Sequence, residues 1–198
     1  MSTPLAHLVD DDEAIRDALS WLLKSRGLPY ATYDSAESFL AAWNKTTSGC
    51  LVLDMRMSGM SGLDCFDELC ARNSSLPVIF LTGHGDVPLA VATLKKGAFD
   101  FFEKPFNDND LASRIEEAMA LDAHQRVANA TVDSVKARLA TLTTRERQIM
   151  GLVLAGKFNK VIADELNISM RTVEVHRSKL FDKMHVKTAV ELANLLKP

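Results

Sequence analysis

Along residues 5–119, short apolar runs take turns with amphipathic stretches. The runs AHLVD, PYATY, CLVLD, PVIFLT and AFDFF are mostly too uniformly apolar to have one wet face. Between them apolar residues return at helical spacing: Ile15, Ala18, Leu19, Leu22 and Leu23 up to Gly27; Phe39 and Leu40 between Ser35 and Trp43; Leu63, Phe66 and Leu69; Val87, Val91 and Leu94 up to Gly97; and Leu111, Ile115 and Met119 after Asn107. A strand without in-out alternation is buried on both faces, which requires a parallel sheet covered by helices on each side. Five such strands, each followed by a helix, predict an α/β fold: a (βα)5 doubly wound parallel sheet with right-handed crossovers. In AFDFF, period-two alternation predicts Phe99 and Phe101 on one face and Phe102 on the other.

The pattern changes beyond residue 120. Residues 121–142 contain little Gly or Pro and carry Val132, Val135 and Leu139 at helical spacing, which predicts a helical linker over 121–140. Its apolar stripe is too thin to argue strongly for a coiled dimer contact. Residues 141–198 read as an all-α domain of four helices. Thr144, or alternatively Thr143, caps the first, which ends near Gly156; the second runs from about Asn159 to Leu166; Ser169 caps the third, which reaches about Met184; Lys187-Thr188 opens the fourth. Two short helices joined by NIS form a helix-turn-helix, whose second helix enters the DNA major groove. The predicted domains are therefore 1–120, a linker over 121–140, and 141–198.

Composition narrows the function. With 198 residues, 47% hydrophobic and 25% charged, the chain can form one large domain or two small ones. No apolar run approaches the roughly 18 residues of a membrane span, and MSTPLAHLVDDDE is not a secretory signal, so the expected location is cytoplasmic with no membrane partner. Cys50, Cys65 and Cys70 are odd in number and form no CxxC pair, which points to packing rather than disulfides or zinc. Charge is split unevenly. Residues 1–120 carry 10 Lys+Arg against 18 Asp+Glu, whereas residues 121–198 carry 13 against 8. A basic carboxyl-terminal part suits a polyanion such as double-stranded DNA.

Open α/β sheets place their sites at the carboxyl ends of the strands. Strand one ends in Asp10-Asp11, strand three in Asp54, strand four in Thr82, and strand five just before Lys104-Pro105. Three carboxylates gathered at one edge need an offsetting charge. Hard oxygen donors suit Mg2+, which takes few protein carboxylates and keeps several waters. Asp54 is then a candidate nucleophile toward a phosphoryl group, with Lys104 and Thr82 available to its oxygens. Asp12 fits better as the cap of the helix from Glu13. His84, two residues after Thr82, is expected in a loop near the site. A haloacid-dehalogenase-type phosphatase also uses a strand-end Asp, but it requires a second acid two residues later, where this chain has Arg56. The other alternative is a helix-turn-helix regulator that works without phosphorylation.

On the third helix, Val173, Leu180 and Met184 share an inward face, and Arg171, Glu174, Val175 and Ser178 lie opposite. Glu174 and Val175 are candidates for base edges; Lys157, Lys160, Arg177, Lys179 and Lys183 are candidates for phosphate. His176 suits either phosphate or core.

The stretches VDDD, LDMRM, LTGHGD and FDFFEKPF resemble the receiver domain of two-component response regulators. LTTRERQIMGLVLAGKFNKVIADELNIS and RTVEVHRSKLFDKMHV resemble the LuxR-type DNA-binding domain. Together they resemble the NarL/FixJ group, and GHGDVPLAV and TVEVHR are similar to FixJ-like members. The resemblance implies a transcriptional regulator rather than an enzyme, phosphorylated on Asp54 by a cognate sensor histidine kinase. It implies Mg2+ held by Asp10, Asp11, Asp54 and the Arg56 carbonyl, with Asp11 as a direct ligand. Thr82 and Lys104 would bind the phosphoryl group, and Phe101 would rotate as the switch aromatic beside a cis Lys104-Pro105 bond. With the helix geometry above, the expected DNA contacts are Lys160, Arg171, Thr172, Glu174, Val175, Arg177, Ser178, Lys179 and Lys183. Implied partners are promoter DNA, a second copy after phosphorylation, and RNA polymerase. Ser58 stands where the family often has Pro, a departure that bears on loop rigidity rather than chemistry.

Overall fold

The five apolar runs pair as parallel strands in the order β2-β1-β3-β4-β5. In the computed structural model, which describes residues 3–83 and 87–197, they are β1 (Leu5–Val9), β2 (Tyr30–Tyr33), β3 (Gly49–Asp54), β4 (Val78–Thr82) and β5 (Asp100–Glu103). The helices between them are α1 (Glu13–Ser25), α2 (Ala36–Ala42), α3 (Gly62–Ala71) and α4 (Val87–Lys95). Residue parity sorts the strand side chains into two cores. Val9, Leu51, Leu53, Val78 and Phe80 pack with Phe39 of α2 and Phe66 and Leu69 of α3. Ala6, Leu8, Cys50, Val52, Ile79 and Leu81 pack with Leu19 and Leu23 of α1 and with Leu111 and Ile115 of the helix after β5. Each fully buried Leu, Ile or Phe contributes about 1.5–3 kcal/mol, so these two layers fix the sheet. His84 lies outside the described residues.

The faces of the aromatic run differ from expectation. Phe101 packs against the first core, while Phe99 and Phe102 both pack against the second. The reason is that β5 begins only at Asp100. Phe99 precedes the strand, its N–H bonded to the Val78 carbonyl, so pleat alternation does not govern it. The Arg114 guanidinium lies 4.3 Å from the centre of its ring.

The helix after β5, α5, runs from Asp108 to Ala140 without a break at 120. The first compact unit reaches Arg126, past the expected limit. Asp122, 1% exposed, accepts from the Gly49 N–H at 2.8 Å and from Arg126 Nε at 2.7 Å. Arg126 also donates to the Thr47 carbonyl. A buried carboxylate must be paired, and this one holds the start of β3.

The second compact unit, Val127–Pro198, has its own core. Its helices are α6 (Thr144–Leu154), α7 (Asn159–Leu166), α8 (Met170–Met184) and α9 (Ala189–Leu195). Ile149, Val153, Ile162, Val173, Leu180, Met184 and Leu192 form its buried centre, with Leu139 packed against it. Thr143 is the cap of α6 and forms a reciprocal capping box with Glu146. Ser169 caps α8, and Asn167 turns the chain between α7 and α8 at φ +50°. No described helix is long and apolar enough to cross a membrane.

Candidate functional sites

Strand order reverses between β1 and β3, the position at which open α/β sheets open a crevice beyond their carboxyl ends. Val9 pairs with Leu53, so the next residues, Asp10 and Asp54, follow one another across the same register. Two partners bring Lys104 to them. Thr82 pairs with Glu103, and the Lys104 N–H donates to the Thr82 carbonyl at 2.8 Å. The Lys104-Pro105 bond is cis.

Lys104 Nζ donates to Asp10 Oδ2 at 2.8 Å and to Asp54 Oδ1 at 2.6 Å. The remaining carboxylate oxygens take backbone donors: Asp10 Oδ1 accepts from the Asp12 N–H, and Asp54 Oδ2 from the Arg56 N–H, both at 2.9 Å. Asp10 is 2% exposed and Asp54 6%. Burial is the largest influence on the Asp54 carboxyl and pushes its pKa up, with Lys104 working against it. For Lys104, burial alone favours the neutral amine, but the two carboxylates outweigh it and the net shift is upward. One ammonium thus neutralises part of a two-carboxylate pair in a half-enclosed setting.

Not every expected residue joins this cluster. Asp12 caps α1 as anticipated, accepting from the Ala14 N–H. Asp11 is exposed and turned to the loop after β3: its Oδ2 accepts both the Ser58 N–H and the Ser58 Oγ–H, each at 2.8 Å. The Ser58 N–H and hydroxyl hold the Asp11 carboxyl below its ordinary range. Ser58 thus ties its loop to Asp11 through two donors, neither of which a proline would have. Thr82 is fully buried, and its Oγ donates to the Gly83 carbonyl at 3.0 Å rather than to the carboxylates. Phe101 is half-buried against the first core. Among the described residues, no three His, Cys, Asp or Glu side chains converge as a metal cage. The donors available at the edge are nonetheless all oxygens, the chemistry that Mg2+ prefers.

Sequence reasoning missed three supports of this site. The Arg16 guanidinium donates to the Asp10 carbonyl at 2.7 Å. Glu37 of α2 accepts the Met60 N–H at 2.9 Å. Gly62 opens α3 so close to Asp54 that a Cβ there would lie 2.1 Å from the Asp54 carbonyl oxygen. The Arg16 bond spans 6 positions and the Glu37 bond 23, and neither leaves a mark in periodicity or capping pattern. The glycine was visible in SGMSG, but its reason was not.

In the second unit, α8 turns Val173, Leu180 and Met184 inward, and Lys160, Arg171, Glu174, Val175, Ser178 and Lys179 are exposed. The other candidates are partly engaged. Thr172 shares the Ser169 cap, and Arg177 donates to Asn159 and stacks over Phe181. Lys183 donates to Glu146 Oε2 at 2.7 Å and to the Thr141 carbonyl, which ties α8 to α6. Lys157 pairs with Glu165. His176 is half-buried, with its Nδ1 enclosed.

Residues 6–116 match the response regulator receiver domain, and residues 140–196 match the bacterial regulatory proteins of the luxR family. The chain is 50% identical over 193 residues to the C4-dicarboxylate transport transcriptional regulatory protein DctR of Rhodobacter capsulatus, covering 96% of this chain and 97% of that protein. It is 42% identical over 189 residues to the transcriptional regulatory protein FixJ of Bradyrhizobium diazoefficiens, covering 96% and 92%. Among solved structures, the response regulator StyR aligns at a TM-score of 0.94 with 40% identity, covering 98% of each chain. These relatives are transcriptional regulators and not enzymes, which sets aside the phosphatase alternative. A parallel five-stranded sheet with paired acids at its edge, followed by a helix-turn-helix of luxR type, makes this chain a member of the NarL/FixJ family of two-component response regulators, a DNA-binding transcriptional regulator that answers to a sensor kinase.

Proposed function

We propose that Asp54 is the residue that takes the phosphoryl group from a cognate sensor histidine kinase. The observation that carries this is its position: a buried carboxylate at the end of β3, beside Asp10, with Lys104 bridging the two at 2.8 and 2.6 Å. An Asp54 carboxylate oxygen attacks the phosphorus, forming an acyl-phosphate bond as the phosphorus–nitrogen bond to the kinase histidine breaks. Lys104, already at the site, follows the new charge and pairs with phosphoryl oxygens. Asp10, Asp11, Asp54 and the Arg56 carbonyl would hold Mg2+, whose charge offsets the crowded anions during transfer.

Phosphorylation adds nearly two negative charges at the sheet edge. The Thr82 hydroxyl exchanges the Gly83 carbonyl for a phosphoryl oxygen, and Phe101 turns inward. That shifts the α4–β5–α5 surface toward a state that pairs with a second copy. The domains that act in this scheme are a receiver over 1–120, a helical linker over 121–140 and a DNA-binding domain over 141–198. Two such carboxyl-terminal domains then sit at promoter half-sites about one helical turn apart. Arg171, Glu174, Val175 and Ser178 face base edges, and Lys160, Lys179 and Arg177 face phosphate, with Thr172 near the entering end of the helix. Lys183, held by Glu146, belongs to the framework and reaches DNA only by leaving that partner. The protein acts in the cytoplasm, where it meets RNA polymerase.

The decisive experiment treats the protein with a small-molecule phosphodonor and Mg2+, then maps acid-labile adducts by mass spectrometry. An adduct on Asp54 is expected, lost in Asp54→Asn together with phosphodonor-dependent dimerisation. An adduct elsewhere, or dimerisation that persists in Asp54→Asn, overturns the assignment.

A further inference from the structure

Two donors from one residue converge on a single oxygen of Asp11. The Ser58 N–H and Oγ–H both reach Oδ2 at 2.8 Å, across 47 positions of sequence. The loop that carries Ser58 is anchored on its other side. Glu37 Oε1 accepts the Met60 N–H at 2.9 Å, and Gly59 between them has φ +83°. Asp11 therefore cannot draw Ser58 along freely when it moves. While it stays on Ser58 the ion pairs of Lys104 are with Asp10 and Asp54, and among the described residues no three His, Cys, Asp or Glu side chains converge as a metal cage.

We propose that Ser58 is a positioning residue that holds Asp11 off the metal, so that Mg2+ binding has to break this clasp and residue 58 sets the Mg2+ concentration at which Asp54 can be phosphorylated. The inference rests on the proposed metal site and concerns this chain's own control of it. Hydrogen bonds to a carboxylate are among the stronger ones, and both groups here are exposed, so water replaces a lost donor in part. Removing the hydroxyl alone is accordingly worth about a three- to ten-fold change in affinity.

Isothermal titration of Mg2+ into the full chain tests this directly, without phosphorylation. Ser58→Ala, which keeps the backbone and its N–H, is expected to bind Mg2+ about three- to ten-fold more tightly than the wild type, and Ser58→Thr, which keeps the hydroxyl, to match it. In wild-type protein the Ser58 amide resonance is expected to shift as Mg2+ is added, reporting release of Asp11. Unchanged or weaker binding by Ser58→Ala overturns the proposal: weaker binding means that the clasp aligns Asp11 for the ion instead. Asp11→Ala separates the two levels. If it loses affinity while Ser58→Ala is unaltered, the metal site stands and the clasp falls. If it binds as the wild type does, or if the wild type takes up no Mg2+, the metal site fails and the clasp falls with it.

Discussion

Lys104 decides the resting charge arrangement, because it is the one cation bonded to both Asp10 and Asp54 among the described residues. Lys104→Met leaves two adjacent carboxylates without it. Breaking a half-buried pair in this way is expected to cost about 1–3 kcal/mol at pH 7. The pH dependence has a definite sign. Burial already raises the folded-state pKa of Asp54, and removing the ammonium raises it further. A carboxyl whose pKa is raised on folding stabilises the fold below its unfolded pKa, and that stability is lost as pH rises through the folded value. The penalty of Lys104→Met should therefore shrink as pH falls from 7 through the folded pKa of Asp54; urea unfolding that gives a constant difference contradicts the charge account. Gly62 offers a second test at this scale. A methyl group 2.1 Å from the Asp54 carbonyl oxygen cannot be accommodated without moving β3 or α3. Gly62→Ala should lose more than about 2 kcal/mol and slow phosphodonor labelling of Asp54.

At the scale of elements, the start of α6 carries a junction that is easily tested. Thr143 and Glu146 satisfy each other's backbone N–H groups, and Glu146, 2% exposed, also receives Lys183 from α8. Thr143→Ala should cost about 1 kcal/mol by freeing those donors. Lys183 is the largest influence holding the Glu146 carboxyl below its ordinary value, followed by burial, which opposes it, and Thr143, which adds to it. A depressed carboxyl contributes stability above its unfolded pKa that disappears as pH falls through the folded one. The stability gap between wild type and Glu146→Gln should thus be constant at neutral pH and close only below the normal glutamate range. Thermal melts of the second unit within the full chain, followed from pH 7 to pH 3, measure it. The Asp122–Arg126 pair does comparable work for the start of β3, where Gly49 sits at φ +114° with its would-be Cβ 1.9 Å from the Leu5 carbonyl oxygen.

For the whole molecule, the two halves carry opposite charge. The basic half bears the luxR-type domain and suits DNA, and on the proposed reading the acidic half is where Mg2+ and a phosphoryl group would be handled. Lys160→Ala and Lys179→Ala should weaken binding to all sequences about equally, and each should reduce the slope of log K against log salt by about one. Substituting Glu174 or Val175 should change sequence preference with little effect on that slope. Fluorescence anisotropy at several salt concentrations distinguishes the two classes. Equal behaviour of both sets removes α8 from the groove.

By itself the sequence determined the features that local pattern controls. Uniformly apolar runs between helical stretches require a parallel sheet, strand ends fix which edge bears Asp10, Asp54 and Lys104, and Ser169 and Asp12 announce helix starts through the chemistry of capping, whereas the choice of Thr143 over Thr144 came from the structure. The tertiary structure alone decided which groups pair across long separations. Lys104 bridges two carboxylates, Asp11 turns to Ser58, Lys183 goes inward to Glu146, and Phe99 joins Phe102 rather than Phe101. Such pairings depend on where rigid elements come to rest, and neither periodicity nor spacing records that distance. Hydrophobic burial selects the fold through many small contributions of one sign, so the chain pattern carries it. The arrangement of a few charges depends on ångström-scale approach between residues far apart in sequence, so only the folded chain settles it.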